Sequence, residues 1–312
     1  MRRSVEGAAD FFTGVMDGVY HGPSRVDSRP RRPADKPAAL LDRPAGRAYH
    51  RPAMPVHLRD VIGHLDTTLE IDRFKDYAPN GLQIEGAPEV DTIVTGVSAC
   101  QALFDRAIEL GADLVVVHHG LIWGGGLQRV TGVTARRIGQ LLASGVSLAA
   151  YHLPLDKHPR LGNNTGLADV IGLALAGREA FGDVRGVALG LAGVWPTPLS
   201  RDEAIGRVAA GVLGKRTAPF VFPYGPETVR KVGVCSGAAS DLLEAAAAAG
   251  CDLFVTGELA ERAGELAREL QITLVAAGHY ATEVHGPTRL ADELRLAFPS
   301  LSVHFVGVPS PL

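Results

Sequence analysis

Three segments of the chain carry histidine and carboxylate side chains of the kinds that bind divalent metal ions. The first is Asp113-Leu-Val-Val-Val-His118-His119-Gly120, an apolar run typical of a buried strand, and it ends in two imidazoles. The second is Tyr151-His152-Leu-Pro-Leu-Asp156, and the third is Gly278-His279-Tyr-Ala-Thr-Glu283. Imidazole and carboxylate ligands without cysteine favour Zn²⁺, Mn²⁺ or Fe²⁺ over Cu(I) or an iron–sulfur cluster. The three segments together predict a metal centre that holds two divalent ions per chain.

The adjacent pair His118 and His119 is interpreted as two ligands that serve different ions. Successive side chains of a strand point to opposite faces, but the backbone can turn where the strand ends, so both rings can reach one cleft. The alternative is a structural pair that bonds loop carbonyls, which would be favoured for an isolated dipeptide. Gly120, the buried strand and the two other segments favour metal ligands instead.

His279 and Glu283 are four residues apart where a strand gives way to a helix, so they lie on one helical face. A carboxylate has two oxygens, which makes Glu283 the natural ligand to bridge two ions. The alternative is a histidine at a helix start followed by a glutamate favoured by the helix dipole. Asp156 is predicted in a loop stiffened by Pro154, and its alternative role is that of a turn or cap residue.

His152 and His158 flank Asp156. We expect them to lie just outside the ions, where imidazoles orient the side chains that bind metal. They are also the candidates for catalytic proton transfer.

The elements that must position these residues alternate between apolar strands and helices, which predicts an α/β fold. Two stretches resemble each other: one begins at Gly96-Val-Ser and includes Gly111-Ala-Asp113, and the other begins at Gly233-Val-Cys and includes Gly250-Cys-Asp252. Chance recurrence in alanine-rich units is the alternative to a true repeat. We predict two similar three-layer α-β-α lobes with the metal cleft between them, at the carboxyl ends of strands. The first lobe comprises residues 54–165 and 278–312, and the second comprises residues 166–277.

Composition limits the classes of function. Hydrophobic residues make up 46% of the 312 residues, enough for a sizeable core, and the net charge of −3 argues against a general nucleic-acid binder. Three cysteines without paired spacing fit a reducing cytoplasm, and no apolar run approaches the length of a membrane span. Residues 1–53 are rich in proline and arginine and are predicted to be a disordered extension, with Met54 as the hypothetical natural start.

Five ordered motifs resemble those of the dinuclear-metal-centre hexameric proteins, the type 2 GTP cyclohydrolase homologues. The motifs are Pro79-Asn-Gly-Leu-Gln83, Val117-His-His-Gly120, His152-Leu-Pro-Leu-Asp156 with Gly162-Asn-Asn164, Asp252-Leu-Phe-Val-Thr-Gly-Glu258, and Gly278-His-Tyr-Ala-Thr-Glu283. The resemblance covers residues 54–312 and implies metal ligands at His118, His119, Asp156, His279 and Glu283, with Glu283 as the bridge. It also implies a toroidal homohexamer whose sites face an internal cavity.

The leading functional expectation is a metal-dependent hydrolase that acts on a nucleotide-like small molecule. Such a site could open a purine ring, as the cyclohydrolase label implies, or cleave a phosphoester or an amide. The alternative is a non-enzymatic, ring-forming metal-binding adaptor or metal-handling protein, which a closed coordination sphere would favour. A ring that encircles or processes nucleic acid is a third possibility, and the acidic balance of residues 54–312 counts against it.

Overall fold

The computed structural model describes residues 55–214 and 217–310. The predictions for residues 1–53, including the start at Met54, lie outside the described residues. The strands are β1 Val56–His57, β2 Gly81–Ile84, β3 Glu89–Val90, β4 Thr92–Ser98, β5 Leu114–His119, β6 Ser147–Ala150, β7 Glu179–Val184, β8 Val187–Ser200, β9 Phe220–Pro223, β10 Thr228–Val234, β11 Leu253–Thr256, β12 Thr273–Ala276 and β13 Ser302–Phe305.

The helices are α1 Leu58–Thr68, α2 Gln101–Glu109, α3 Gly132–Ala143, α4 Leu153–Lys157, α5 Asn163–Val170, α6 Arg201–Val208, α7 Leu243–Ala248, α8 Ala263–Glu269, α9 His279–Glu283 and α10 His285–Ala297. Short 3₁₀ segments occur at Ile71–Arg73 and Ser240–Leu242, and Ala209–Leu213 is a π-helical turn that extends α6. None of the helices in the described ranges is long and apolar enough to cross a membrane.

Two larger sheets organise most of these elements, and β1 pairs with β3 in a separate two-stranded antiparallel sheet. The first has the strand order β13-β4-β5-β6-β2, in which β2 runs antiparallel to β6 and the other neighbours are parallel. The second has the order β7-β8-β10-β11-β12-β9, with a parallel core of β10, β11 and β12 between antiparallel strands. The mixed α/β fold predicted from the alternating pattern is confirmed.

Each of the two larger sheets is covered by helices on both faces. In the first sheet Ile93 packs toward α1 and α10, whereas its neighbour Val94 packs toward α2 and α3, because successive strand side chains alternate in direction. In the second sheet Val255 joins the core formed with α5 and α6, and Phe254 joins the core with α7 and α8. Strands buried on both faces explain the near-continuous apolar runs of the sequence.

The aspartates of the two Gly-x-Asp segments make similar hydrogen bonds. Asp113 Oδ2 accepts hydrogen bonds from the backbone N–H groups of Asp91 and Thr92, at 2.9 and 3.0 Å. Asp252 Oδ2 does the same for Arg230 and Lys231, at 2.8 and 3.0 Å. Each aspartate thus ties the residue before one parallel strand to the backbone of the neighbouring strand, at the start of β4 in the first sheet and within β10 in the second.

One local prediction was wrong, and one pair of strands was not predicted. Pro154 lies in the first turn of α4 rather than in a loop, a position where its missing N–H costs no helical hydrogen bond. The region before α6, for which the sequence pattern predicted no element, forms the long hairpin of β7 and β8. Its turn uses positive φ angles at Arg185 and Gly186.

The path of the chain brings both sheets to the candidate site. After β12 of the second sheet the chain forms α9, and α10 then packs on the first sheet before β13 joins β4. The division of the chain into lobes at residues 165 and 278 stays a prediction.

Candidate metal centre

The five side chains singled out as metal ligands lie together, and His152 joins them. Three overlapping groups have their nitrogen and oxygen atoms within 4.8 Å of one another: His118 with His119 and His152, His119 with His279 and Glu283, and His118 with Asp156 and Glu283. The strand β5 ends in the adjacent histidines, α4 carries Asp156, and α9 carries His279 and Glu283.

In its neutral form, His118 presents an unprotonated nitrogen to the centre of the cluster. The ring is fully buried, and its Nδ1 lies 2.9 Å from the carbonyl oxygen of Tyr151. A carbonyl oxygen only accepts hydrogen bonds, so Nδ1 carries the proton in the neutral ring. The lone pair of Nε2 then faces Asp156 Oδ1 and Glu283 Oε1, each 3.4 Å away.

His119 and His279 approach the other oxygen of Glu283. Their Nε2 atoms lie 3.4 and 3.2 Å from Glu283 Oε2. The remaining nitrogen of each ring is held from behind: His119 Nδ1 lies 3.1 Å from Ser98 Oγ, and His279 Nδ1 lies 2.6 Å from Glu258 Oε1. A carboxylate behind an imidazole fixes the tautomer that a metal needs and raises the basicity of the ligand.

The carboxylate of Glu283 therefore faces two different sets of side chains. Its Oε1 lies with His118 and Asp156, and its Oε2 lies with His119 and His279. We call these the inner set and the outer set. In the inner set the side chains of His118 and Asp156 are at most 7% exposed, whereas the side chains of His119 and His279 are 17% and 26% exposed. The inner set is closed to solvent and the outer set is partly open.

The cluster fits divalent ions because it leaves buried ligand atoms unsatisfied. Among the described residues, His118 Nε2 and Glu283 Oε2 are buried without a hydrogen-bond partner. An unsatisfied buried polar atom costs about 1–3 kcal/mol, and more for a charged group. A cation placed among these atoms would remove that cost, since imidazole and carboxylate are ligands that zinc, manganese and iron accept.

The pKa shifts of the clustered side chains also favour a bound cation. Burial alone would lower the pKa of His118, but the carboxylates of Asp156 and Glu283 raise it to about 9. Burial would raise the pKa of Glu283, yet the surrounding imidazoles, His118 first, hold it well below its usual range. The cluster therefore keeps a carboxylate charged in a buried place and favours a positive charge beside it.

His152 is paired with a carboxylate that the sequence did not reveal. Its Nδ1 lies 2.7 Å from Asp76 Oδ1, and Asp76 also accepts hydrogen bonds from Leu153 N–H at 2.9 Å and from the Asn80 amide at 3.0 Å. Burial raises the pKa of Asp76, but the bonds from His152 and its neighbours outweigh that effect and lower it. Ionised Asp76 thus accepts the Nδ1 proton of His152 and leaves Nε2 unprotonated in the neutral ring. The centroid of this ring lies 5.1 Å from that of His118 and 5.6 Å from that of His119.

His158 is not brought to the cluster. Its Nδ1 accepts hydrogen bonds from Leu161 N–H at 2.9 Å and Arg160 N–H at 3.2 Å, so it fixes the turn between α4 and α5. It also lines a cleft of about 650 Å³ whose walls include Lys157 and Arg178 but none of the clustered side chains. We place the chemistry at the cluster rather than in this cleft, because among the described residues only the cluster gathers convergent ligand atoms.

Other motif residues support the cluster from outside. Asp156 Oδ1 accepts hydrogen bonds from the Asn163 amide at 2.9 Å and from Ser236 Oγ at 3.0 Å. Gln83 Oε1 accepts from the backbone N–H groups of Leu121 and Ile122, at 2.9 and 3.1 Å, and so holds the loop after His119. The sequence marked these asparagine and glutamine residues only as parts of motifs, because their partners are distant in the chain.

Comparisons with known proteins agree with this arrangement. Residues 56–311 match the model of the family described as Duf34/NIF3 (NGG1p interacting factor 3). The chain is 40% identical over 258 residues to the "GTP cyclohydrolase 1 type 2 homolog" of Pseudomonas aeruginosa, covering 83% of this chain and 100% of that protein. It is also 40% identical over 236 residues to the protein of the same name from Escherichia coli K12, covering 76% and 92%.

Solved structures resemble the chain over the same region. The protein ybgI, described as of unknown function, superposes with a TM-score of 0.76 at 37% identity, covering 82% of this chain and 100% of its own. The protein TTHA1606 from Thermus thermophilus superposes with a TM-score of 0.73 at 33% identity, with coverage of 82% and 100%.

Proposed function

Because the chain belongs to the Duf34/NIF3 family, we propose that it is a metal-dependent hydrolase that binds two divalent ions and acts on a nucleotide-like small molecule. The observation that carries the proposal is the position of Glu283, whose two oxygens face separate sets of ligands. His118, Asp156 and Glu283 would hold one ion, and His119, His279 and Glu283 would hold the other. Zn²⁺, Mn²⁺ and Fe²⁺ suit these ligands.

Different side chains of the cluster would bind the ions and transfer the proton. Two bound ions would lower the pKa of water and stabilise a developing oxyanion. His152 Nε2 would take up and return a proton, since Asp76 holds the ring in one tautomer beside the cluster. The nucleotide-like substrate is proposed from the names of the relatives, which call them homologues of a GTP cyclohydrolase.

Counting metal in matched variants tests the two-ion proposal. Asp156→Asn removes a carboxylate ligand from the inner set, and His279→Ala removes an imidazole ligand from the outer set. Glu283→Gln removes the carboxylate that both sets share. We expect wild type to hold about two ions per chain by elemental mass spectrometry, the first two variants about one, and the third well below one. His304→Ala is the control, because His304 is exposed on β13. Equal metal content in all variants would contradict the proposal.

The role of His152 needs a separate test. We expect His152→Ala to keep both ions and to lose about 10²- to 10⁴-fold in kcat toward whichever nucleotide or phosphoester wild type hydrolyses. A parallel loss of metal would make His152 a ligand instead of a proton carrier.

A non-enzymatic metal-binding adaptor or metal-handling protein is the second candidate, and the closed inner set favours it. The partly exposed outer set favours the hydrolase, because a catalytic ion needs an open position for water or substrate. Two bound ions without hydrolysis of any nucleotide, phosphoester or amide would make the adaptor the better description.

Assembly and location complete the proposal. We propose a homohexamer in the cytoplasm, in line with the resemblance and with three unpaired cysteines, all of which lie in the described part of the chain. Membrane and nucleic acid are not among the proposed partners. Light scattering after gel filtration tests the assembly, for which we expect six times the chain mass.

A further inference from the structure

Two exposed rings and a cationic side chain lead outward from the candidate metal centre. We define Trp123, Tyr77 and Arg185 as its rim. The Trp123 ring centroid lies 5.1 Å from that of His152 and 5.8 Å from that of His119. The Tyr77 ring lies 6.3 Å from that of His152, and Arg185 Cζ lies 4.0 Å above the Tyr77 ring. The rim therefore adjoins both a histidine of the outer set and the proposed proton carrier.

The rings of the rim are held in place and remain partly exposed, although Arg185 covers one face of Tyr77. Trp123 is 39% exposed and Tyr77 is 45% exposed. Trp123 Nε1 donates to the Gly120 carbonyl at 3.0 Å, and the Tyr77 carbonyl accepts from Gly124 N–H at 2.7 Å. These bonds link the two segments that carry the rings, so a stacking surface exists before any ligand arrives. Pre-ordered aromatic surfaces bind flat rings at a low entropic cost.

Arg185 brings an uncompensated positive charge to this surface. It is exposed at the turn of the β7–β8 hairpin, and its guanidinium makes one long hydrogen bond, 3.5 Å, to the Asp76 carbonyl. In residues 55–214 and 217–310, no carboxylate forms an ion pair with Arg185. Its charge is therefore available to an anion that lies across the rings.

We propose that the rim selects a planar heteroaromatic ring that carries an anionic group, of about the size of a mononucleotide, and delivers it to the metal centre. The ring would stack on Trp123 and Tyr77, and the anionic group would pair with Arg185. The inference rests on the proposed function for its reaction, but the binding itself can be measured without turnover.

Calorimetric titrations with three probes separate the contribution of the ring to binding from that of the anionic group. Guanosine 5′-monophosphate offers both, guanosine offers the ring alone, and ribose 5-phosphate offers the anion alone. Each probe is titrated into metal-free and zinc-loaded protein, because phosphate could also meet the ions directly. We expect the monophosphate to bind most tightly to wild type in both states.

Variants then assign the contributions. Trp123→Ala should weaken guanosine and its monophosphate about 5- to 150-fold, while Trp123→Phe should retain most of the binding. Arg185→Gln should weaken the monophosphate about 10- to 150-fold and leave guanosine unchanged. Phe220→Ala and Arg230→Gln are matched controls, since they remove an exposed ring and an exposed guanidinium from the second sheet, and should change nothing.

The inference is overturned if wild type binds none of the probes, if the monophosphate binds no better than ribose 5-phosphate, or if the rim variants bind like the controls. Metal content and hydrolysis are measured on the same samples. If binding depends on the rim but the protein holds no metal and hydrolyses nothing, the hydrolase proposal fails and the inference about the rim remains. If the protein holds two ions and hydrolyses a substrate but binding does not depend on the rim, the inference fails and the hydrolase proposal remains.

Discussion

Replacing Gly237 by alanine tests whether the Glu283 carboxylate must stay where it lies. Gly237 has a φ of +66°, and a Cβ built there would stand 2.4 Å from Glu283 Oε1 and 3.3 Å from His279 Nε2. The backbone is not free to retreat, because Gly237 N–H donates to Thr282 Oγ1 at 3.1 Å and its carbonyl accepts from Gly257 N–H at 2.8 Å. The carboxylate must therefore move.

The size of the effect follows from two separate costs. Alanine in the left-handed region costs about 1–2 kcal/mol of unfolding free energy. Gly250→Ala carries that cost alone, since Gly250 has a φ of +75° with no atom within 4 Å of its added Cβ. At Gly237 the Glu283 oxygen must also shift by about 1 Å to reach an ordinary van der Waals distance. A shift of that size affects both ligand sets, and we expect metal affinity to fall at least 10- to 100-fold.

The assay pairs urea unfolding of the metal-free variants with competitive zinc titration. Both variants should lose about 1–2 kcal/mol of unfolding free energy, because each places alanine in the left-handed region. Only Gly237→Ala should lose zinc. The reasoning is refuted if Gly237→Ala binds two zinc ions with wild-type affinity, or if Gly250→Ala loses as much affinity as Gly237→Ala.

Three further predictions concern the surroundings of the site. Glu258→Gln should weaken zinc about 10- to 100-fold at one of two sites, because it removes the carboxylate behind His279; two equally weakened sites in the titration would argue against this. Gln83→Ala should lower the free energy of unfolding by about 1–3 kcal/mol in chemical denaturation, because two backbone N–H groups of the loop after His119 lose their acceptor. An unchanged denaturation midpoint would count against that role of Gln83. Removing metal with a chelator should lower the thermal midpoint, since zinc at 100 times its Kd adds about 2.7 kcal/mol per site to the folded state; a midpoint independent of zinc would speak against binding to the folded chain.

The clustered side chains could be predicted because their signals are local. A run of valines before His118 and His119 marks a strand end, and the four-residue spacing of His279 and Glu283 marks a helical face. The paired Gly-x-Asp segments likewise indicated the two sheets, and the bonds of Asp113 and Asp252 show why that pattern recurs.

Partners that are distant in the chain could not be predicted in the same way. Asp76 meets His152, and Glu258 meets His279, only after the chain has folded. Asp76 lies outside the five motifs, and Glu258 ends one of them without any sign in the sequence that its partner is His279. The β7–β8 hairpin was missed for a different reason. Gly190, Gly193 and two prolines, at 196 and 198, interrupt the apolar alternation of β8, so the strand does not show the period from which strands are recognised.

The origin of the clustered side chains in both sheets has a consequence for folding. His118 and His119 end a strand of the first sheet, whereas His279 and Glu283 follow the last parallel strand of the second. Bringing His119 and His279 together closes a loop formed by all the chain between them, which costs conformational entropy. Contacts between residues so distant in sequence form slowly. A chain that is still folding would therefore offer an ion only isolated pairs of ligands. Uptake of zinc during refolding should lag behind the recovery of secondary structure, which makes the ion a reporter of the last step in the maturation of this protein.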